Sequence, residues 1–474
     1  MTSPILVWAL VAVQAFYLTS ILVTLWFFLK PVNRVDRTAP LPADPPQIVL
    51  FYPVLNELEE TMRTTFMSIA RAPYPAGLVR VIGIPNSNDS GSVQALERLT
   101  TEFDFLEVMP VPPTTHPSWN AVWSSWDANP KAYWWHEGRR AGQRDLPPKK
   151  TRQLIWAMYQ TAPDNRESLL SYIDADSAVP TDYWHTAAVG MESYDVVQNT
   201  NITGNPLATW PTAFYAMDHM SWDSSLYRHM TADGKHPFYV LGKGLFFRFS
   251  DLIELGGFHP WLTIEDPEVG MRLWTNGRRL GVVESPLVEE VPATWAQGVT
   301  QRKRWVAGFF QSLAQPLTSM GMRPLDRFKA RLNFFPTLSL AFNPVGWIVG
   351  IIAIVAMIRS AGAAFPLWVA VLSAVTLLLA AVLIVARWLS SWTLLRDVMP
   401  SRARRLLYLL LVNPVFMLGY WLWWTVPIAI GFDMWRRDRG LVWERTEKRD
   451  ANHRLVREDR STTTVSEVTH REAA

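Results

Sequence analysis

Leu169-Leu170-Ser171-Tyr172-Ile173-Asp174-Ala175-Asp176 is the stretch on which the reading of this chain turns. Its first five residues form a short apolar run rich in strand formers. The run opens directly onto two aspartates two residues apart. Residues i and i+2 of an extended chain point to the same side, so both carboxylates project together from one strand end. A strand ending in paired acids suggests a sheet whose carboxyl edge carries chemistry.

Working outward, the same alternation recurs. Residues 47–52 and 79–84 read as short apolar strands, and 57–71 and 92–103 carry helical spacing. Strands alternating with amphipathic helices predict an α/β sheet covered on both faces. In open sheets of this kind ligands bind beyond the carboxyl ends of the strands. The turns after Tyr52 and Ile84 and the Asp pair all lie there. Residues 112–148 read differently. They hold Trp119, Trp123, Trp126, Trp134 and Trp135 between prolines, and we take them as a long irregular Trp/Pro-rich insertion. It is either a surface loop packed by its own aromatics or a flap over a binding site or lipid.

Both ends of the 474-residue chain are apolar. Residues 5–29 are an uncharged run long enough to cross a bilayer, for which about 20 residues suffice. A cleaved leader fits less well, because no positive residue precedes the run and no clear small-residue cleavage site follows. Lys30, Arg34 and Arg37 come next, which places the middle of the chain in the cytosol. Residues 316–432 read as interfacial and membrane helices, with runs at about 334–358, 365–386 and 406–432. Pro414 and Pro427 mark the last run for a break. Residues 433–474 form a basic, polar tail. Four spans are the simplest count, yet the charge rule then conflicts with Arg436, Arg437, Arg439, Arg445, Lys448 and Arg449 following the last. Either one run is re-entrant or interfacial, or the tail lies outside. The net charge of +3 is too mild for a nucleic-acid partner, and the absence of cysteine excludes disulfides and thiolate metal sites.

Three clusters carry candidate chemistry. Asp174 and Asp176 supply hard oxygen ligands of the kind magnesium and manganese prefer beside phosphates; a solvated turn is the plain alternative. Glu265-Asp266 follows the Gly256-Gly257 turn and precedes a helix. A carboxylate there can take a hydroxyl proton, or simply favour the helix N-terminus. Gln301-Arg302-Lys303-Arg304-Trp305 is cationic and amphipathic, suited to phosphate and a sugar ring or to lipid headgroups. Lys149, Lys150 and Arg152 form a further basic cluster before a helical stretch.

The Asp-x-Asp, Glu-Asp and Gln-x-x-Arg-Trp elements occur in this order before an apolar third. In this the chain resembles the membrane-bound family-two glycosyltransferases, the group of the cellulose, hyaluronan and poly-N-acetylglucosamine synthases. The resemblance covers residues 45–315 and the flanking helices. It implies a GT-A, Rossmann-like α/β domain in the cytosol, flanked by transmembrane α-helices in the plasma membrane. It implies inverting transfer of a sugar from a nucleotide-sugar donor to a growing β-linked polysaccharide, with Mg2+ or Mn2+. By motif match, Asp176 is the main metal ligand, Asp174 touches donor and metal, and Asp266, beside Glu265, is the general base. Pro53, Asn56, Glu57, Asn86 and Lys150 fall on the donor side. Gln301, Arg304 and Trp305 fall on the pyrophosphate and acceptor, and Gly242 and Gly244 on the glycine segment near the acceptor. The resemblance also allows a single transfer onto a lipid acceptor, and contact with membrane lipid and export subunits. A non-catalytic transport or scaffold protein is the reading from another class. Two departures stand out. Leu55 replaces a ring that packs on the base, and Asn86 sits where a base-reading carboxylate is usual. An amide both donates and accepts, which puts uridine as the donor base in doubt.

Overall fold

The computed structural model describes residues 3–230, 234–237, 240–359, 365–438, 446, 452 and 455–456. Arg439, Arg445, Lys448, Arg449 and most of the tail fall outside the described residues. Seven strands form one sheet in the order β3-β2-β1-β4-β6-β5-β7. They are β1 Ile48–Val54, β2 Val79–Pro85, β3 Leu106–Val108, β4 Leu169–Tyr172, β5 Val196–Thr203, β6 Leu245–Arg248 and β7 Leu280–Glu289. β6 runs antiparallel to both of its neighbours, and every other pair is parallel.

β1 is buried along its whole length, as its continuous apolar sequence requires of a strand covered on both faces. Its side chains divide with period two: Val49 and Phe51 enter one core, Ile48, Leu50, Tyr52 and Val54 the other. The helices Glu59–Ala70 and Ser90–Leu99 cover the second face. Lys150–Thr161 covers the first, with Leu154, Ile155 and Met158 in its core. The strand and helix readings at 47–103 hold to within a few residues. The irregular reading of 112–148 does not. The segment contains the helix Asn120–Ala128, and all five of its tryptophans are buried in the first core. Trp119, Trp123 and Trp126 recur at helical spacing, so one face of the segment is core.

Three described helices are long and apolar enough to cross a membrane: Pro4–Phe28, Leu367–Leu394 and Pro414–Arg436. The run expected over 334–358 does not make a fourth. It is interrupted at Phe342 and leaves a helix, Asn343–Arg359, of only 17 residues. Pro344 has no N–H to offer Leu340, so the hydrogen-bond ladder lapses there. The run at 406–432 breaks as its prolines predict. Arg402–Leu411 ends before Asn413, whose side chain accepts from the amides of Val415 and Phe416 at 3.0 and 3.2 Å. A second interruption falls at Trp424, where Pro427 cannot donate to Trp423.

This last stretch touches the α/β domain at three points. Tyr408 donates to Ala213 O at 3.0 Å, Tyr420 bonds Asp218, and Asp438 pairs with Arg140 at 2.5 Å.

Candidate active site at the strand ends

One cavity at the carboxyl ends of β1 and β4 collects most of the residues singled out by sequence: Pro53, Glu57, Lys150, Asp174, Asp176, Gly242, Glu265, Asp266, Gln301, Arg304 and Trp305. Asn56, Asn86 and Gly244 lie outside its lining.

The turn after β4 is held by its middle residue. Ala175 O accepts from Tyr52 Oη at 2.6 Å and Thr65 Oγ1 at 2.9 Å. This fixes the two flanking carboxylates in different surroundings. Asp176 is 5% exposed, and its Oδ2 accepts from the Glu290 amide at 2.9 Å. Asp174 is 43% exposed and pairs with Lys150 Nζ at 2.8 Å. Lys150 also donates to Gly242 O at 2.7 Å and stands 3.5 Å from Glu265 Oε1. Burial opposes its charge, but Asp174, Glu265 and Asp266 together outweigh that and hold it above the ordinary lysine range. Lys150 thus ties the two acidic motifs to one centre.

The basic cluster at 149–152 separates by function in space. Lys149 is buried and donates to Leu262 O at 2.9 Å; desolvation, then the neighbouring Arg140, push its pKa down to about 7. Arg152 turns the other way and donates to Asn86 Oδ1.

Glu265 and Asp266 open the helix Asp266–Thr275, and Glu265 makes no side-chain cap there. The capping alternative therefore does not account for Glu265. Burial, reinforced by the charge of Glu265, pushes the Asp266 carboxyl up to about 8. A raised carboxyl suits a proton acceptor at neutral pH. Gly242 lets this pair come close: a Cβ there would meet Glu265 Oε1 at 3.3 Å and Asp266 Cγ at 3.5 Å. Gly244, with φ +62, holds a backbone conformation that favours glycine. Behind the pair, Arg272 grips Glu268 bidentately at 2.6 and 2.9 Å. It also donates to Leu255 O and Gly257 O, while Trp126 Nε1 donates to Gly256 O at 2.8 Å. The tryptophan segment thus backs the Gly256-Gly257 turn.

The Gln-x-x-Arg-Trp residues sit on the helix Trp295–Leu313. Gln301, Arg304 and Trp305 line the cavity. Arg302, unremarked by the motif, is fully buried on another face. It pairs with Asp218 at 2.8 Å, lies 3.9 Å from the centre of the Tyr215 ring, and donates to Gln301 Oε1 at 3.2 Å. Farther along, the cavity wall turns apolar, with Phe309, Phe310, Leu313, Phe334, Leu340 and Trp424. From the tail, Thr446 Oγ1 lies 3.4 Å from Arg304 Nη2, and Asn452 Nδ2 donates to Asp176 O at 3.0 Å. No sequence signal singled out these two.

Among the described residues no three His, Asp or Glu side chains form a metal cage by themselves. Mg2+ and Mn2+ are commonly held by one or two carboxylates with substrate phosphates completing the shell. Asp174 and Asp176, hard donors on one turn and one partly exposed, fit that requirement.

A mixed seven-stranded sheet with acidic residues at its carboxyl edge and a basic helix roofing them defines a GT-A glycosyltransferase domain. The chain belongs to glycosyl transferase family group 2, whose family model matches residues 169–435, more than half of the chain. It is therefore a glycosyltransferase. The mannosyltransferase PcManGT from Pyrobaculum calidifontis, solved with GDP-Man and Mn2+, superposes with a TM-score of 0.54. Identity is 18%, over 92% of this chain and 99% of that one. Residues 1–349 of S. aureus TarS, in complex with UDP-GlcNAc, give 0.35 at 11% identity, over 62% of this chain and 75% of that one. No curated protein sequence matches the chain.

Proposed function

We propose that this protein transfers a sugar, with inversion, from a nucleotide-sugar donor to a growing β-linked saccharide at the cytosolic face of the plasma membrane. The observation that carries this reading is the single cavity joining Asp174, Asp176 and Lys150 to Asp266 and to Gln301-Arg304-Trp305. Asp174 and Asp176 would hold Mg2+ or Mn2+ against the diphosphate; the cation supplies charge neutralisation for the departing nucleotide. Lys150 and Arg304 add positive charge beside it. The acceptor hydroxyl oxygen bonds to the anomeric carbon and gives its proton to Asp266. The bond from that carbon to the diphosphate oxygen breaks, and its electron pair leaves with the nucleotide. Trp305 offers its face to the acceptor sugar. Lys30, Arg34 and Arg37, next to the Pro4–Phe28 helix, support the cytosolic side, and a separate export subunit fits the small helix set.

The apolar half of the cavity favours a second acceptor reading, a single transfer onto a lipid. Phe309, Phe334 and Leu340 would shelter hydrocarbon while the headgroup meets Asp266.

The test is a donor screen in detergent with Mn2+ and membrane lipid extract, following nucleoside diphosphate release. Release from one donor that disappears in Asp176→Ala is the expected result. Release unchanged in that variant would sink the metal-site assignment. Product length separates the two acceptors.

A further inference from the structure

The turn that carries Asp174 and Asp176 is held by a residue from the far end of the chain. Asn452 is 1% exposed. Its Nδ2 donates to Asp176 O at 3.0 Å and to Val288 O at 3.1 Å, and its backbone N–H donates to Glu290 Oε1 at 3.3 Å. Glu290 in turn gives its own N–H to Asp176 Oδ2 at 2.9 Å. The contacts close a ring through Asp176, Asn452 and Glu290. The amide of Asn452 can face only one way in it, because the two carbonyl oxygens accept from its nitrogen and neither could pair with its oxygen.

The corner is shaped for this side chain. The Asp176 turn follows β4, and Glu290 follows β7. The two segments meet through paired backbone hydrogen bonds between Ala178 and Val288, at 2.8 and 2.9 Å. Gly204, directly after β5, leaves the space that Asn452 enters: a Cβ there would fall on Asn452 Oδ1. One helical turn further on, Val456 is buried and its N–H donates to Asn452 O at 3.1 Å.

An apolar side chain would serve if the corner only had to be filled. A buried amide is costly unless its hydrogen bonds are made, and the bonds made here go to the backbone of Asp176 and to the residue that orients its carboxylate. Asn452 also lies beyond residues 169–435, the span that the family model matches.

We propose that Asn452 is a positioning residue for the bound cation. It fixes the backbone of Asp176 and, through Glu290, the direction in which the Asp176 carboxylate points. Carboxylates that hold a metal depend on outer hydrogen bonds of this kind, and losing one weakens metal binding by about 10–100-fold. The inference rests on the reading of Asp176 as a metal ligand.

The experiment titrates the full-length protein in detergent with Mn2+ and counts the free ion by electron paramagnetic resonance. Asn452→Leu keeps the approximate size of the side chain and removes its donors. It is expected to weaken Mn2+ binding at least about fivefold, with the number of ions bound at saturation unchanged. Asp176→Ala, the control, should abolish that binding. Loss in Asp176→Ala with a smaller weakening than this in Asn452→Leu overturns the positioning role and leaves the metal site standing. Fewer ions bound at the native affinity would mark a partly unfolded protein and a merely structural asparagine, which also overturns it. Equal binding by the native protein and Asp176→Ala, or binding by neither, removes the metal-site reading and this inference with it.

Discussion

The cavity has two ends built on different principles. At the strand end, charged groups stand on short turns and hold one another: Lys150 joins Asp174, Gly242 and Glu265 within 3.5 Å. At the helix end the wall is phenylalanine and leucine from the helices Trp295–Leu313 and Pro324–Ala341, with Trp424 and with Ile428 from Thr425–Arg436. The first end is suited to a hydrated, charged donor and the second to an acceptor arriving from the membrane side. Two arginines on one helix mark the seam. Arg304 faces the cavity, and Arg302 is buried beside Asp218. The contrast teaches that a residue lining the cavity and one buried behind it can sit two residues apart on one helix.

The strongest test of the charged end is Asp266→Asn. Loss of the proposed base should lower transfer by about 10²–10⁴-fold while nucleoside diphosphate still binds, as titration will show. Transfer within a few-fold of the native rate would remove Asp266 from the chemistry.

Arg302→Met tests the seam. It leaves Asp218 buried without its ion pair, which costs about 3–5 kcal/mol. The unfolding midpoint in detergent should fall clearly, whereas Arg304→Met should leave it near the native value and weaken donor binding instead. Equal midpoints for the two variants would erase the distinction drawn between them.

The smallest effect concerns pH. Asp266 accepts a proton only when ionised, and its carboxyl lies at about 8 because of burial and the adjacent Glu265. Transfer should therefore climb as pH rises toward that value and level off above it. Glu265→Gln removes one of the two causes, so the rising limb should move to lower pH. A limb that stays in place would show that Glu265 does not act through Asp266.

The charged end was largely legible in the sequence. Short apolar runs such as 47–52 and 169–173 locate the strands, and the acid pair immediately after the second locates the site. What escaped notice did so for physical reasons. Trp119, Trp123 and Trp126 have helical spacing, but Pro112, Pro113 and Pro117 crowd the same stretch and read as breakers. Arg302 was hidden because a linear motif does not say which face of a helix each residue takes. The break at Phe342 comes from one missing N–H, at Pro344, to which hydropathy is blind. Thr446 and Asn452 reach the site through tertiary contacts more than 140 residues long in sequence, and no local pattern records those.

One contact made far from the cavity bears on how the molecule comes to exist. Tyr17 in the first helix donates to Asn343 Oδ1 at 3.0 Å, across 326 residues of chain. At a synthesis rate of roughly 5–20 residues per second, the first helix emerges about half a minute before its partner. The whole α/β domain is made in that interval. Throughout it Tyr17, Ser20 and Thr24 must wait in or beside the bilayer without the helices that later cover them. Assembly of the membrane part is thus timed by the length of the enzyme that separates its halves.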